Sequence, residues 1–515
     1  MNRKWWTLIV VCVGVFMLLL DISIVNVALP NIATTFGASL SGLQWVIDAY
    51  ALALASLLLS AGVLADRSGR RLLFLIGVAV FTIGSVLCGT ATSIVFLAIS
   101  RAFQGIGGAI MFATSLALLS ESFKGPERGI AFGVFGAMTG VAIAVGPVLG
   151  GALVTGLGWR WIFFVNIPVG VIVFIIALLR VDESRDPAPR RLDLPGFLTF
   201  SVGLGALIFG LIRSNNSGWG SVTVVSGLVA AAVLLAGFVA VELLRRDPMF
   251  DFKLLRVMTF DGGLVAAFGI SASIFSVMTF LIFWVQDILG LSALSTGVRF
   301  LPLSVSLFVA AAIAGRLTSL LPTRWLIGPG FVLVGIGLLL MRGLAPASQW
   351  THLLPGMIVS GVGAGLVNVP LVATAVGVVP PRRAGMASGI NSTFRQIGIA
   401  AGIAVLGAIF IRQIRSAVVA QLAGTPLAVH SHDLAVAAGS GRLSFTLSQV
   451  PAADRELLGT AARTGFVNGL NMILLIAALL TFLAAILSFF LIREKDFVEG
   501  QGRAGRRNAE AAGGA

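Results

Sequence analysis

The chain has 515 residues, of which 57% are hydrophobic and only 11% charged, with a mean hydropathy of +1.02. Soluble domains carry about a quarter charged residues, so a water-soluble enzyme, a disordered chain and a fibrous protein are excluded, and an integral membrane protein remains. The formal charge of +14, from 35 Lys and Arg against 21 Asp and Glu, marks cytoplasmic loops in such a protein rather than a nucleic-acid surface.

A helix that crosses the hydrocarbon core needs about 20 mostly apolar residues. Fourteen such runs occur, at 6–29, 44–64, 72–91, 94–117, 129–153, 161–179, 196–212, 221–243, 260–284, 296–315, 325–341, 353–378, 386–411 and 470–492. The expected fold is an all-α membrane protein. The first run is too long for a signal peptide and no cleavage site follows it, so it is expected to stay as a signal anchor. An even number of spans with a short basic N-terminus predicts both termini on the cytoplasmic side of the cytoplasmic membrane. With that orientation 24 of the 35 Lys and Arg fall in cytoplasmic loops and tails, nine fall outside, and Arg101 and Arg395 fall within spans. This is the bias expected of positive loops inside, and a count of thirteen would invert half of it.

Cys12 and Cys88 each lie in an apolar run and cannot build a disulfide framework or a zinc cluster. His430 and His432 sit in a long external segment, 412–469. Two histidines without a third ligand read as loop residues, so no metal site is expected. The Gly- and Ala-rich tail 493–515 is expected to be disordered.

The loop after the second span reads Gly62-Val63-Leu64-Ala65-Asp66-Arg67-Ser68-Gly69-Arg70-Arg71. Gly62 and Gly69 allow a tight turn, Asp66 can accept from the N-terminal amides of a neighbouring helix, and the arginines Arg67, Arg70 and Arg71 can bridge helix ends. Such a clasp is a candidate cytoplasmic gate, the alternative being a basic turn that only anchors topology. Gly315-Arg316-Leu317 and Arg324 repeat the grammar at the same nine-residue separation. Internal repeats of membrane helices around a central site are the architecture of secondary transporters. Two six-helix bundles are expected, 1–180 and 259–492, with a linker, 181–258, that carries an inserted pair of spans.

Asp21 and Asp48 are the clearest carboxylates within spans, where ionisable groups are a functional signal by default. Asp21 and Arg101 lie about 10 Å below the outer ends of spans one and four, at 1.5 Å per residue. Asp48 stands one turn into span two, near Trp45 and Tyr50, the only tyrosine. Burial opposed by a nearby arginine suits an acid that takes and releases a proton at physiological pH. A static Asp21–Arg101 salt bridge and an Asp48 solvated at the mouth are the competing readings. Glu242, Asp261 and Asp287 fall near helix ends and are expected to be surface anchors.

These features resemble the fourteen-span drug/proton antiporters of the major facilitator superfamily, over nearly the whole chain. The stretch Leu20-Asp21-Ile22-Ser23-Ile24-Val25-Asn26-Val27-Ala28-Leu29-Pro30 resembles that family's first-helix signature, and Gly62–Arg71 resembles the superfamily's loop motif. Arg101-Ala102-Phe103-Gln104-Gly105-Ile106-Gly107-Gly108 is similar to its buried-arginine motif. Gly140 with Gly146-Pro147-Val148-Leu149-Gly150-Gly151 is similar to the helix motif of antiporters, and Trp159–Pro168 is similar to a stretch of the fourteen-span branch. Read physically, Gly140, Gly146, Pro147, Gly150 and Gly151 clear one helix face for close packing. The resemblance implies proton-coupled efflux of lipophilic, cationic or neutral, drugs by a protein that works as a monomer. It makes Asp21 a candidate for protonation and drug coupling and likens Asp48 to an acid of exporters of lipophilic cations. Beside the resemblance, Arg101 is expected to share in proton coupling and Trp45, Tyr50, Asn391 and Arg395 to line the drug site with these acids, Arg395 either binding an anion or serving structure. Around Ser306 and Asn391 the chain departs from exporters of dications, which carry further acids there.

No Gly-x-x-x-x-Gly-Lys-Ser/Thr loop occurs at any of the four lysines, so an ion gradient rather than a nucleotide is the expected energy source, with no cofactor. With three histidines no His-Glu-x-x-His site can form. Substrate, protons and membrane lipid are the expected partners, without nucleic acid. The alternatives are export of an endogenous metabolite, lipid or self-made antibiotic and, from another class, a passive channel or non-transporting sensor.

Overall fold

The computed structural model describes residues 2–38, 40–123, 126–185, 193–245, 250–318, 320–380, 384–422, 434–435, 437, 443–448 and 450–497. His430, His432 and the tail from 498 lie outside the described residues. Helices succeed one another as α1 (Arg3–Phe36), α2 (Leu40–Ser68), α3 (Arg70–Gly89), α4 (Ile94–Ser122), α5 (Pro126–Gly156), α6 (Asn166–Arg180), α7 (Leu194–Ser217) and α8 (Val222–Leu244). They continue as α9 (Met258–Ile288, containing two π turns), α10 (Ala293–Leu317), α11 (Arg324–Leu340), α12 (Leu354–Gly377), α13 (Ala384–Gln421) and α14 (Ala452–Leu491). Among the described residues there is no strand, and twelve helices are long and apolar enough to cross a membrane. Beside these twelve stand α5, with 31 residues, and the shorter apolar α11, with 17.

Short polar side chains start several helices by accepting a first-turn amide: Ser93 from Phe96 N at 3.2 Å, Asp193 from Gly196 N at 2.9 Å and Ser292 from Ser295 N at 3.2 Å. Helices α1–α6 share cores around Phe74, Phe81 and Phe163, and α9–α14 share another around Phe280, Phe331 and Phe410. In each half helices meet at backbone distance, and one such pair is equivalent between the halves. A Cβ on Gly84 of α3 would lie 2.8 Å from Gln104 Cα of α4, and one on Gly330 of α11 would lie 3.0 Å from the Gly363 carbonyl of α12. Equivalent helices of the two halves thus cross through glycine. Gly84→Val is expected to cost about 1–3 kcal/mol through overpacking, seen as a lower melting temperature in detergent.

The halves meet along two equivalent seams, α2 with α13 and α5 with α10. A Cβ on Gly389 would lie 2.9 Å from Leu59 Cα, and one on Gly133 would lie 3.4 Å from the Ala311 carbonyl. Helix α7 lies over the first seam, where Leu204 and Ile208 pack on Ala55 of α2 with Ile397 and Ala400 of α13 alongside. Helix α8 is outermost, with Val222 and Leu244 almost fully exposed, an apolar surface suited to lipid. The face of the bundle where α1 begins and α14 ends is here called basal. There Lys4 pairs with Glu127 at 2.6 Å and Arg3 with Asp182, while Thr259 donates to Asp496 at 2.8 Å.

Two expectations need correction. The segment 412–469 is largely helical, because α13 continues to Gln421 and α14 begins at Ala452. Arg412, Arg415, Arg455 and Arg463 lower its hydropathy. Ile414, Val418 and Leu422 nevertheless recur every four residues, and they are buried in one core with Leu458, Ala462 and Phe466. Glu242, expected at the surface, is 3% exposed and accepts from Phe250 N at 3.1 Å, because the chain after α8 folds back over the helix end.

Candidate functional site

Asp21 is 1% exposed, and four helices besides α1 close around it. Arg101 of α4 donates from Nη1 to Asp21 Oδ2 at 2.5 Å. Gln104 Nε2 and Asn166 Nδ2 donate to Asp21 Oδ1 at 3.0 and 2.9 Å. Ser85 Oγ of α3 accepts from Gln104 at 2.8 Å and from Asn166 at 3.3 Å, and passes its own proton to the Phe81 carbonyl at 3.0 Å. Arg101 further donates to Gln104 Oε1 at 2.7 Å and to the Val46 carbonyl of α2 at 3.1 Å, while the Tyr50 ring covers its guanidinium at 4.1 Å. The arginine and carboxylate are therefore both buried, paired and hydrogen-bonded, as buried charges must be. The participation of Gln104, Asn166 and Ser85 escaped sequence reading.

Asp48 has a different environment. Two residues beyond Val46 and so close to the depth of Arg101, it is half-buried and makes no hydrogen bond or contact ion pair with any described residue. Trp45, one turn earlier, stacks on Phe209 of α7 at 6.0 Å, and the Arg213 guanidinium lies 4.7 Å from the Trp45 ring. The helix α2 thus separates the two acids: Val46 and Tyr50 serve the Asp21 network, whereas Trp45 and Asp48 belong to the side facing α7. Tyr50 Oη is buried without a partner, 3.1 Å from where a Cβ on Gly108 would stand.

The first stretch of α13 supplies the polar groups of the second half. Arg395 donates to Asn368 Oδ1 of α12 at 3.0 Å, with Phe275 5.8 Å from its guanidinium. Asn391 is 2% exposed and its Nδ2 has no partner among the described residues, nor have the buried hydroxyls of Ser388, Ser392 and Thr393. Buried polar groups are usually paired, so this row offers donors and acceptors for a further partner. Ser388, Asn391, Ser392 and Arg395 recur at three- and four-residue spacing and share one stripe of the helix.

At the basal face Asp66 Oδ2 accepts the Met386 amide, in the first turn of α13, at 2.9 Å. Its Oδ1 accepts from Arg70 Nε and Nη2 at 3.0 and 2.9 Å, and Arg70 reaches Glu121 of α4 at 3.3 Å. Glu183 accepts from the amides of Arg71 and Leu72 at 3.0 Å each, capping α3, while Arg71 Nη1 donates to the Val181 carbonyl at 3.2 Å. Arg67 is exposed. Gly69 makes the turn at φ 115°, where a side chain would be strained and would strike Glu183. Gly62 does not turn the chain: α2 runs helically through it to Ser68, since nothing interrupts the backbone hydrogen bonds before Gly69.

The glycine motif of α5 packs on α1. Gly146 leaves room only for Ser23, and a Cβ on Gly150 would lie 3.4 Å from Ile24, one turn beyond Asp21. Gly151 is half-buried. Gly140 and Pro147 lie on the same helix, with their surroundings outside the described residues. No group of three metal-ligating side chains occurs among the described residues.

A family model described as the Major Facilitator Superfamily matches residues 11–403. The chain belongs to this superfamily and is a multi-pass membrane transporter rather than an enzyme. It is 38% identical over 411 residues to Multidrug resistance protein Stp of Mycobacterium tuberculosis, covering 79% of this chain and 76% of that one. It is also 35% identical over 456 residues to Puromycin resistance protein pur8 of Streptomyces alboniger, covering 86% and 90%. The human organic anion transporter MFSD10 aligns over 96% of this chain and 100% of its own with a TM-score of 0.63 at 14% identity, a likeness of fold alone.

Proposed function

We propose that this chain exports lipophilic, cationic or neutral, small molecules across the cytoplasmic membrane in exchange for protons. The halves α1–α6 and α9–α14 would rock about the α2–α13 and α5–α10 seams. The names of its relatives, multidrug resistance and puromycin resistance, support the class of cargo. In this reading all fourteen helices cross the membrane, α7 and α8 form an inserted pair, and the basal face with both termini is cytoplasmic. The Asp66 clasp then holds the cytoplasmic side shut. Each charge moved down the membrane potential supplies about 2.3 kcal/mol per 100 mV, enough for roughly a 50-fold gradient of cargo.

One observation carries the assignment of the proton site: of two acids at similar depth, Asp21 accepts three hydrogen bonds, whereas Asp48 has no partner among the described residues. A carrier must lose its proton to one side and be reached from the other, which suits Asp48. Asp21 and Arg101 then act as the joint that transmits a change in α2 and α4 to α1. Trp45 and Phe209 on one side, with Asn391 and Arg395 on the other, supply the surfaces that touch cargo.

Proton release from purified protein on addition of cargo tests this. Asp48→Asn is expected to abolish the release while leaving the melting temperature within a few degrees of wild type. Undiminished release from Asp48→Asn, with release lost in Asp21→Asn, would return the proton to Asp21.

A further inference from the structure

Arg213 stands four residues before the end of α7 and is the one ionisable residue of that helix. An arginine near the end of such a span ordinarily extends to the lipid headgroups. Here it turns the other way, onto α2, with its guanidinium 4.7 Å from the Trp45 ring and 5.9 Å from Phe209. Trp45 and Phe209 are themselves stacked at an interplanar angle of 26°. Asp48 follows Trp45 by three residues and so shares its face of α2. The carboxylate has no hydrogen-bonded partner among the described residues, and Arg213, over the Trp45 ring, is a cation placed on the same side of α2. A cation is thus held beside a half-buried carboxylate without being consumed by a contact ion pair, and two flat rings lie between α2 and α7.

Resting on the export reading above, we infer that Arg213 is a built-in cation that sets the charge preference of the Asp48 site, favouring uncharged aromatic molecules over lipophilic cations. A monocation entering beside Trp45 is attracted by Asp48 and repelled by Arg213. At comparable distances the two effects largely cancel. An uncharged aromatic ring uses the Trp45 and Phe209 faces and is indifferent to that balance. The inserted pair then has a chemical role in the transport site, supplied through α7.

Calorimetric titration of the purified full-length protein with tetraphenylphosphonium and with uncharged triphenylphosphine oxide, two compounds of similar shape, tests the charge preference. Arg213→Gln is expected to bind tetraphenylphosphonium about tenfold more tightly, with triphenylphosphine oxide unchanged within about twofold. Arg213→Lys is expected to behave as wild type, and Asp48→Asn combined with Arg213→Gln to lose the gain. Arg213→Met serves as a second neutral variant should Arg213→Gln fail to yield monodisperse protein. Unchanged cation affinity in the neutral variants, an equal gain for both compounds, or a Lys variant that behaves like Gln would each overturn the proposal. Transport of both compounds into proteoliposomes is measured separately. Intact binding without transport would sink the export reading and leave the charge preference standing.

Discussion

Arg101→Ala is expected to be the most damaging single substitution in the first half, costing about 3–5 kcal/mol. The side chain is 2% exposed and donates to Asp21, Gln104 and the Val46 carbonyl, drawing together α1, α2 and α4. Its removal leaves the Asp21 carboxylate in an apolar interior with two neutral amide donors, and an uncompensated buried charge costs far more than the pair contributes. Folded proteins hold only about 5–15 kcal/mol in reserve, so the variant should show a much lower melting temperature and a smaller monodisperse fraction. Asp21→Leu combined with Arg101→Met removes both charges together and is expected to recover much of the loss. Such recovery separates the cost of an orphaned charge from the value of the pair. A melting temperature for Arg101→Ala within about 2 °C of wild type would show that the network is not structural.

The depth of Asp21 and Arg101 could be counted from the ends of their spans because the rise per residue is constant, which made their pairing one of the open readings. Gln104, Asn166 and Ser85 could not be added in the same way, since their roles depend on how α3, α4 and α6 are rotated about their axes. The amides of Gln104 and Asn166 stand out as polar within their spans, but polarity alone does not name the partner. Arg213 was counted only as one of the nine basic residues outside. Its contact with Trp45 requires α7 to dock on α2, which the Ser60–Ser201 contact at 2.9 Å helps to fix, and a serine in a span does not name its partner. The turn at Gly69 was legible as a glycine between charged residues, whereas Gly62, of the same type, sits in unbroken helix because neighbouring turns supply all its hydrogen bonds. The ends of α13 and α14 were hidden because hydropathy measures fit to lipid, while Ile414, Val418 and Leu422 are buried against protein.

Asp66→Ala is expected to shift the resting conformation by opening the basal face. The carboxylate is the point where the end of α2 grips the first turn of α13, and the amide it accepts belongs to the positive end of that helix. It is also held in place by Arg70, which Glu121 fixes in turn. A hydrogen bond to a charged group contributes about 1.5–3 kcal/mol, so its loss should raise the population with parted basal ends by roughly 10- to 100-fold. Ser392→Cys can report this. Ser392 is 2% exposed and unpartnered, one turn after Gly389, where α13 touches α2. The native Cys12 and Cys88 are buried within the first half and should stay silent. The expected result is slow thiol labelling of Ser392→Cys alone and labelling about tenfold faster or more when Asp66→Ala is added. Asp66→Asn should fall between them, since an amide oxygen still accepts from Met386 but no longer anchors Arg70. Equal labelling in all three backgrounds would mean that the seam is held by its apolar packing and that Asp66 is no latch. A rise confined to Asp66→Ala would place the holding force in the Met386 hydrogen bond, and an equal rise in Asp66→Asn would place it in the charge.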